Sequence, residues 1–427
     1  MAMGLTAASP VGARRERGLA YLRTRAGQML GGMIAAWVFL GGFVLFEPSP
    51  YELMFVALLP VAFVAGVGLH RATLPLLGIF VFFVPFALIG AFQSTYISLT
   101  DALIFVVVTV FLLFTSYFAA NYVADAPQKH MRLMITAYSW AALAAASIGT
   151  LAYLGLIPGA ETFLRYGRAK AMFQDPNVFG PFLIPPAMFA LQRMLLGKGR
   201  RALWAAAVFG VLTIGVFVSF SRGAWGHLAV SALLVFFACF FLQADARQKV
   251  RMLLLAIVSL GLLMVTLAGL LSIPSVAELF ETRFSAEQTY DTGETGRFGR
   301  QGYAFDLALA NPLGIGPATF HNLRITEEPH NTYVSVLHVY GWGGGLAFYA
   351  FFALTIWRGV RALAVPSPNR LLMIPLVASF VPLAVECAII DADHWRHLFL
   401  VAGMIWGVSA GYKRVGPGEN RPGAALI

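Results

Sequence analysis

Twelve apolar segments, each 16 to 27 residues long, follow one another along the chain and are separated by short polar stretches. A helix needs about 20 apolar residues to cross the hydrocarbon core of a bilayer. With 59% apolar and 12% charged residues, the chain has too little polar surface for a soluble enzyme or a nucleic-acid-binding protein. The sequence therefore predicts an all-α polytopic membrane protein with about 12 transmembrane helices. The predicted spans are 29–46, 51–69, 72–92, 101–120, 133–157, 177–192, 202–220, 223–242, 252–273, 331–357, 371–390 and 397–412.

Basic residues are distributed unevenly between the two sides of these spans. With a cytoplasmic N-terminus, 21 of the 30 Lys and Arg residues fall in cytoplasmic segments. Because basic residues concentrate on the cytoplasmic side of membrane proteins, both termini are expected there. This orientation divides the chain into a basic cytoplasmic tail (1–28), a single membrane domain (29–412) and a second cytoplasmic tail (413–427), whose Gly/Pro-rich composition predicts disorder.

Two outer loops, 158–176 and 274–330, are long, and long outer loops usually carry function. In the first, Arg165 and Arg168 precede an Asp-Pro-Asn sequence at 175–177, which predicts the start of a helix. Guanidinium groups beside a helix N-terminus favour an anion, and above all a diphosphate. The alternative is that these basic residues contact lipid headgroups at the membrane surface.

Three further arginines are predicted to lie on the outer side. Arg222 falls between two apolar segments, where a buried guanidinium is costly without a partner, although it can also extend to the membrane surface. Arg297 and Arg300 have helical spacing and can share one face. Acidic residues at 278–294 precede them, so surface ion pairing is the alternative to anion binding.

His330 stands where the second long loop enters the membrane, after Glu327 and Glu328. An imidazole beside a carboxylate is a plausible general base, whereas a lone histidine at a helix start can also be a simple capping residue. Polar residues inside spans are expected to be functional, but the sequence gives no mechanism for His227, His338 or Glu386. A metal site is not expected at the short cluster Asp391, Asp393, His394 and His397.

Four of these motifs, in this order, resemble the bacterial O-antigen ligase and O-antigen polymerase superfamily over roughly residues 160–350. The most specific is His330-Asn331, followed at fixed spacing by Gly341 and Gly344. The other similar motifs are Arg168 with Asp175-Pro176-Asn177, Ser221-Arg222-Gly223, and Arg297 ahead of Asn311-Pro312-Leu313-Gly314-Ile315-Gly316. The first 150 residues are similar only in being membrane spans.

The resemblance implies a GT-C-type glycosyltransferase of the bacterial inner membrane whose active site faces the periplasm. It implies a glycan donor carried on undecaprenyl diphosphate, an acceptor that is lipid A-core or another glycan, membrane lipids as surroundings, and no metal, cofactor or nucleic acid. The implied catalytic residues are His330 as the base, with Arg222 and Arg168. The implied diphosphate ligands are Arg165, Arg168, Arg222, Arg297 and Arg300, and the implied supporting residues are Asn331, Asn177, Gly341 and Gly344.

Three functions remain open from the sequence. The histidine-asparagine-glycine pattern favours an O-antigen ligase, which joins finished polysaccharide to lipid A-core, over a polymerase of O-antigen or exopolysaccharide repeats. A secondary transporter is a remote alternative, with Pro185-Pro186 and Gly343-Gly344-Gly345 as helix breaks. The position of the essential charges separates these classes, because a transporter places them at the bilayer centre.

Overall fold

The computed structural model describes residues 10–284, 293, 296–323 and 327–411. This part of the chain is almost entirely helical, apart from two short 3₁₀ turns and one small hairpin. The helices, in chain order, are α1 (Pro10–Leu40), α2 (Pro50–Ala65), α3 (Leu74–Gln93), α4 (Leu99–Asp125), α5 (Pro127–Tyr153), α6 (Pro176–Leu196), α7 (Gly199–Val218), α8 (Arg222–Leu242), α9 (Ala246–Leu271), α10 (Pro274–Phe284), α11 (Arg297–Ala310), α12 (Phe320–Leu323), α13 (Thr332–Ala364), α14 (Arg370–Glu386) and α15 (Arg396–Ala410).

Each of the twelve predicted spans overlaps one of these helices, which confirms the all-α polytopic class. Within the described residues, eight helices are long and apolar enough to cross a membrane. The helices α2 and α15 are apolar but shorter, so the number of complete crossings stays a prediction. The largest boundary difference is in α1, which begins inside the predicted basic tail and ends before Gly41-Gly42 rather than at residue 46.

The segment 274–330 differs from the long loop that the sequence predicts, because its described parts contain helices α10, α11 and α12. The helix α11 carries Arg297 at its first position, and its helical spacing to Arg300 is as predicted. The indole Nε1 of Trp342 donates a hydrogen bond to the carbonyl of Ala308 at 2.8 Å, which joins the end of α11 to α13. This segment is therefore an ordered layer on the bundle over its described residues. Residues 285–292, 294–295 and 324–326 of the same predicted loop lie outside the described residues.

Contacts between helix ends define two opposite ends of the bundle. At one end, the start of α15 meets the start of α2 through Arg396 Nε and Glu52 Oε1 at 2.6 Å. At the other, the start of α5 meets the segment before α14 through Gln128 Nε2 and Asn369 Oδ1 at 2.9 Å. We call the end that contains His330 the histidine end and the opposite one the distal end. Arg396 belongs to the histidine end.

Burial varies strongly between helices. The apolar window of α6 is 78% buried inside the protein, whereas that of α9 has no buried residue. A helix that is apolar on all sides and packs little is a lipid-facing helix in a membrane protein. The core therefore lies around α6, with α14 and α15 packed close by, and α9 lies at the lipid-facing rim.

The helix α13 is broken at Gly341, where φ is 70° and ψ is −177°. This backbone conformation favours glycine because it has no Cβ. The break frees two backbone groups, and the motif 312–316 binds both of them: Ile315 N donates to His338 O at 2.6 Å, and Trp342 N donates to Pro312 O at 2.9 Å. The Pro-Leu-Gly-Ile-Gly motif thus has a structural role as the partner of the α13 break.

Candidate active site at the histidine end

Arg168 is held by the residues that the sequence predicts beside it. It lies on the second strand of a short hairpin, in which β1 (Leu164–Arg165) pairs with β2 (Arg168–Ala169). Its side chain is buried, its Nε donates to the carbonyl of Ser219 at 2.8 Å, and its Nη2 donates to Asn177 Oδ1 at 2.8 Å. The guanidinium therefore joins the start of α6 to the turn before α8. Two of its nitrogens are fixed, so its orientation is defined before any ligand binds.

Arg165 stands on the same hairpin but is exposed. Its Nη1 lies 3.0 Å from Asp175 Oδ2, and the other oxygen of Asp175 accepts a hydrogen bond from Asn177 N at 2.8 Å. Asp175 thus caps α6, as the sequence predicts. Because Arg165 is paired with this exposed cap, a diphosphate would have to compete with Asp175 for it. Burial and the nearby charge of Arg165 lower the pKa of Lys170.

Arg222 is the first residue of α8, and Ser221 is the cap, with its Oγ accepting from Ala224 N at 3.4 Å. The bond from Arg168 to the carbonyl of Ser219 ends three residues before Arg222. Arg168 therefore contacts the start of α6 through Asn177 and the segment that leads to Arg222 at the start of α8. Helix N-termini carry partial positive charge, so this region has the electrostatics of an anion site. We call Arg165, Arg168 and Arg222 the arginine cluster.

His330 precedes α13 and has a left-handed backbone, with φ of 52°. Such a conformation is uncommon for a residue with a Cβ and is often found at functional positions. Its Nδ1 lies 3.2 Å from Asp391 Oδ2. A carboxylate at Nδ1 places the proton of the neutral imidazole on that atom and makes Nε2 the basic nitrogen.

Asp391 is in turn fixed by hydrogen bonds. Its Oδ1 accepts from Ser335 Oγ at 2.7 Å and from Asn331 N at 3.1 Å. Burial alone would raise the pKa of Asp391, but the hydrogen bonds from His330 and Ser335 outweigh it and hold the pKa below its ordinary value. The side chain is therefore a carboxylate at neutral pH, as its role beside an imidazole requires. We call His330, Asn331, Ser335 and Asp391 the histidine cluster.

Asn331, and not His330, is the cap of α13. Its Oδ1 accepts from Tyr333 N at 3.0 Å and from Val334 N at 3.3 Å. The alternative interpretation of His330 as a simple capping residue is therefore wrong. Gln301 of α11 adds a bridge, since its Nε2 donates to the carbonyl of His330 at 3.2 Å. The imidazole itself is left to interact with Asp391 and with solvent.

The segment after α14 brings Asp391 to His330. Thr332 N donates to the carbonyl of Cys387 at 2.8 Å, and Thr332 Oγ1 donates to the carbonyl of Ile390 at 2.7 Å. Ala392 N then donates back to Thr332 Oγ1 at 2.8 Å. These bonds wrap the segment around the first turn of α13. Nothing in the local sequence of His330 indicates this partner, which lies 61 positions further along the chain.

The other members of the Asp391–His397 cluster point elsewhere. His394 Nε2 lies 2.7 Å from Thr109 Oγ1, and His397 is buried within α15. Burial, together with nearby Asp391, raises the pKa of Asp393. In the ranges that the structure describes, no group of three or more His, Cys, Asp or Glu side chains is arranged to hold a metal ion.

A buried pair connects the arginine cluster to the histidine cluster. His227 Nδ1 of α8 lies 2.8 Å from Glu386 Oε2 at the end of α14, and His227 Nε2 lies 2.8 Å from the carbonyl of Ser379. A Cβ on Gly223 would lie 2.5 Å from Glu386 Oε1, so α14 approaches α8 immediately after Arg222. Glu386 is five residues before Asp391. The pair therefore links α8, which begins at Arg222, to the helix that precedes Asp391. The sequence analysis singled out both His227 and Glu386 but did not pair them.

A protein-family model described as O-antigen ligase matches residues 205–349. Residues 205–349, about a third of the chain, are thus similar to the O-antigen ligase family, and we call them the O-antigen ligase segment. No curated protein matches the chain. The resemblance that the motifs predict is thus confirmed for the O-antigen ligase and polymerase superfamily. The O-antigen ligase segment contains Arg222 and His330, whereas Arg168, Glu386 and Asp391 lie outside it.

Within the O-antigen ligase segment, Arg300 has a well-defined partner. Its buried side chain donates through Nη1 to the carboxylate of Glu327, whose side chain is half exposed. The sequence analysis gave the acidic residues at 278–294 as the alternative partners of Arg300. Glu327 lies outside that range. This contact ties α11 to the residues just before His330. Arg297, at the start of the same helix, is only partly buried.

The supporting glycines of the O-antigen ligase segment act through the backbone. Gly341 forms the break in α13, and a Cβ there would meet the backbone of Leu313 at 2.6 Å. Gly344 packs directly against Tyr340. His338, one turn before the break, is buried against the ring of Phe320 at 5.4 Å between centroids. These residues shape the helix that follows His330 rather than presenting polar groups to the site.

Proposed function

We propose that the protein is a glycosyltransferase that moves a glycan from undecaprenyl diphosphate to an acceptor sugar, and that it is an O-antigen ligase with lipid A-core as the acceptor. The observation that carries this proposal is the His330–Asp391 pair, which lies at the same end of the bundle as Arg168 and Arg222. The match of residues 205–349 to the O-antigen ligase family supports the same assignment. Essential charges at one end, rather than at the centre, argue against a transporter.

In the proposed reaction, Arg168 and Arg222 bind the diphosphate and stabilise the negative charge that it gains as the bond to the sugar breaks. Guanidinium groups suit this role because they stay charged and form paired hydrogen bonds with phosphate. Donors that are fixed before the reaction stabilise a developing charge without reorganisation. The bonds of Arg168 to Ser219 and Asn177 provide such fixation. We propose that this charge serves where soluble glycosyltransferases use a metal ion.

His330 Nε2 is the proposed base. It removes the proton from the acceptor hydroxyl as that oxygen attacks the anomeric carbon, and the lipid diphosphate leaves with the electron pair of the broken bond. Asp391 holds the imidazole in the required tautomer and stabilises the imidazolium that forms, as a carboxylate does beside a catalytic histidine. Arg165, Arg297 and Arg300 are proposed to support the diphosphate less directly, since Arg165 and Arg300 are paired with Asp175 and Glu327.

The proposed orientation places the histidine end in the periplasm and the distal end in the cytoplasm of the inner membrane. Cysteine labelling tests this with Tyr166→Cys in the exposed hairpin and Ser367→Cys before α14. A membrane-impermeant maleimide should label the first and not the second in intact spheroplasts. The native cysteines, Cys239 and Cys387, are both buried and give a low background. Labelling of residue 367 alone would reverse the orientation.

The function is tested by reconstituting the full chain with an undecaprenyl-diphosphate glycan and lipid A-core. An O-antigen ligase produces core-linked polysaccharide and free lipid diphosphate. A polymerase lengthens the glycan on its lipid carrier and leaves the core unmodified. A matched reaction with His330→Ala controls for transfer without the base. Donor movement across the bilayer with neither product would support the transporter alternative and reject the enzyme.

A further inference from the structure

A small cavity, open on one side, lies at the distal end between the start of α5, the end of α6 and the start of α14. Its floor is apolar and is formed by Met131, Ile135, Phe189, Leu196, Leu371 and Leu372. Its rim carries the guanidinium groups of Arg132 and Arg193. The cavity takes no part in the proposed transfer reaction at the opposite end.

The third polar residue of the cavity is Gln192, whose residue surface is only 8% exposed. Its Nε2 donates to the carbonyl of Leu371 at 2.9 Å, which joins α6 to α14. Its Oε1 is buried and, among the described residues, has no hydrogen-bond donor. A buried acceptor without a donor is costly, so a ligand that supplies a hydroxyl would relieve this cost.

The charges of the cavity favour an anion. Arg132 and Arg193 place two like charges on one rim, and a phosphate between them would offset their repulsion. The first turn of α14 also lines the cavity, and the N-terminal end of a helix adds partial positive charge. An apolar floor below a basic rim matches a molecule with a phosphate head and a hydrocarbon tail. Basic pockets between transmembrane helices bind anionic lipid headgroups in this way.

We infer that this cavity is a binding site for an anionic phospholipid whose headgroup carries a hydroxyl, such as phosphatidylglycerol, from the leaflet at the distal end. The phosphodiester binds Arg132 and Arg193, the headgroup hydroxyl donates to Gln192 Oε1 after a small rotation of the amide, and an acyl chain follows the apolar floor. The site links α5, α6 and α14. It thus connects bound lipid to α6, which begins after Asp175, and to α14, which ends at Glu386.

The test is native mass spectrometry of the purified full chain in detergent with added phosphatidylglycerol. It compares the amount of lipid that the wild-type protein and its variants retain. R132Q/R193Q should bind phosphatidylglycerol about tenfold more weakly, because each basic residue near the surface contributes to anionic lipid binding. The control is R200Q/R201Q, which removes two exposed arginines at the same end that do not line the cavity. It should retain binding within about twofold. An equal loss in both double variants would mean diffuse surface attraction and would overturn the site.

Two further arms identify the ligand. Q192L should lose the preference for phosphatidylglycerol over phosphatidic acid, which lacks the headgroup hydroxyl, and an unchanged preference would overturn the assignment of the hydroxyl. Inorganic phosphate should not displace the lipid or raise the Tm at concentrations where short-chain phosphatidylglycerol does. Equal protection by inorganic phosphate would assign the cavity to a free anion instead. Transfer activity is a separate readout, so failure here leaves the proposed reaction at the histidine end untouched.

Discussion

The arginine cluster and the histidine cluster occupy the same end of the bundle but are built differently. In the arginine cluster, Arg165 and Arg168 are held largely by residues close in sequence, Asp175 and Asn177, and one further bond from Arg168 reaches Ser219 before α8. The histidine cluster joins residues from distant helices, because His330 depends on Asp391 from the far side of α14. Local motifs therefore indicate where the proposed anion site lies, whereas the surroundings of the proposed base form only when the bundle packs.

The two clusters also differ in the kind of charge that they carry: the arginines are permanently charged, whereas the charge of a histidine depends on its protonation. Arginine keeps its charge at all relevant pH values, so the arginine cluster needs only orientation, which Ser219 and Asn177 supply. A histidine base needs the correct protonation state and tautomer as well. The histidine cluster accordingly contains an ionised carboxyl, Asp391, that is itself held by Ser335. Variants in the two clusters should fail in different ways.

The largest loss is expected for His330→Ala. Removing a positioned base typically reduces the chemical step by about 10²- to 10⁴-fold. Donor binding should survive, because the proposed ligands of the diphosphate are in the arginine cluster. Single-turnover transfer and donor affinity, measured on the same nanodisc preparation, check both points. His330→Asn is the matched control for a structural role, and near-normal turnover of that variant would remove the base from the mechanism.

Arg222→Lys should lose about 10- to 100-fold in transfer although it keeps the positive charge. An ammonium group cannot reproduce the paired hydrogen bonds of a guanidinium on phosphate. Unlike the loss in His330→Ala, this one should appear in donor affinity as well as in turnover. Arg168→Ala should behave similarly, but it also removes the bonds to Ser219 and Asn177, so its Tm must be measured beside its activity. Wild-type transfer by both folded variants would contradict the diphosphate role.

Asp391→Asn should reduce transfer about tenfold and leave donor affinity unchanged. In the proposed reaction the carboxylate fixes the tautomer of His330 and stabilises the imidazolium that forms, so its loss should appear in turnover alone. The low folded pKa of Asp391 also means that its charge stabilises the fold at neutral pH and that this stability declines as the pH falls through that pKa. Ser335→Ala, which removes one hydrogen bond, provides a milder control. Wild-type turnover by folded Asp391→Asn would contradict the proposed role of Asp391, and a loss of rate that follows a loss of Tm would assign it a purely structural one.

Arg165→Gln should have the smallest effect, a decrease of about fivefold or less. Arg165 is exposed and paired with Asp175, and an exposed ion pair contributes little free energy. The matched comparison is Arg168→Gln, which changes a buried guanidinium on the same hairpin. If both variants lose activity equally, the difference between a fixed and an exposed arginine has no functional meaning and the whole hairpin acts as one unit.

Hydrophobic patterning predicted the membrane class and a helix at each of the twelve apolar segments. This succeeds because a span must satisfy its backbone hydrogen bonds internally, which leaves few alternatives to a helix of about 20 apolar residues. The patterning was least informative in 274–330, where amphipathic helices such as α11 carry too few apolar residues to be distinguished from a loop. The cap at Asp175 and the family motif at His330 were also readable locally, because each is defined by adjacent residues.

The amino-acid sequence by itself determined which residues are able to do chemistry at this protein's histidine end. Only the tertiary structure decided which of them meet. Glu386 pairs with His227, Asp391 with His330, and Arg300 with Glu327, each across helices or turns that no local spacing relates. The physical reason is that a polar group buried between helices must find its partner on whichever neighbour packs against it, and helix packing is fixed by the whole bundle rather than by the segment that carries the group.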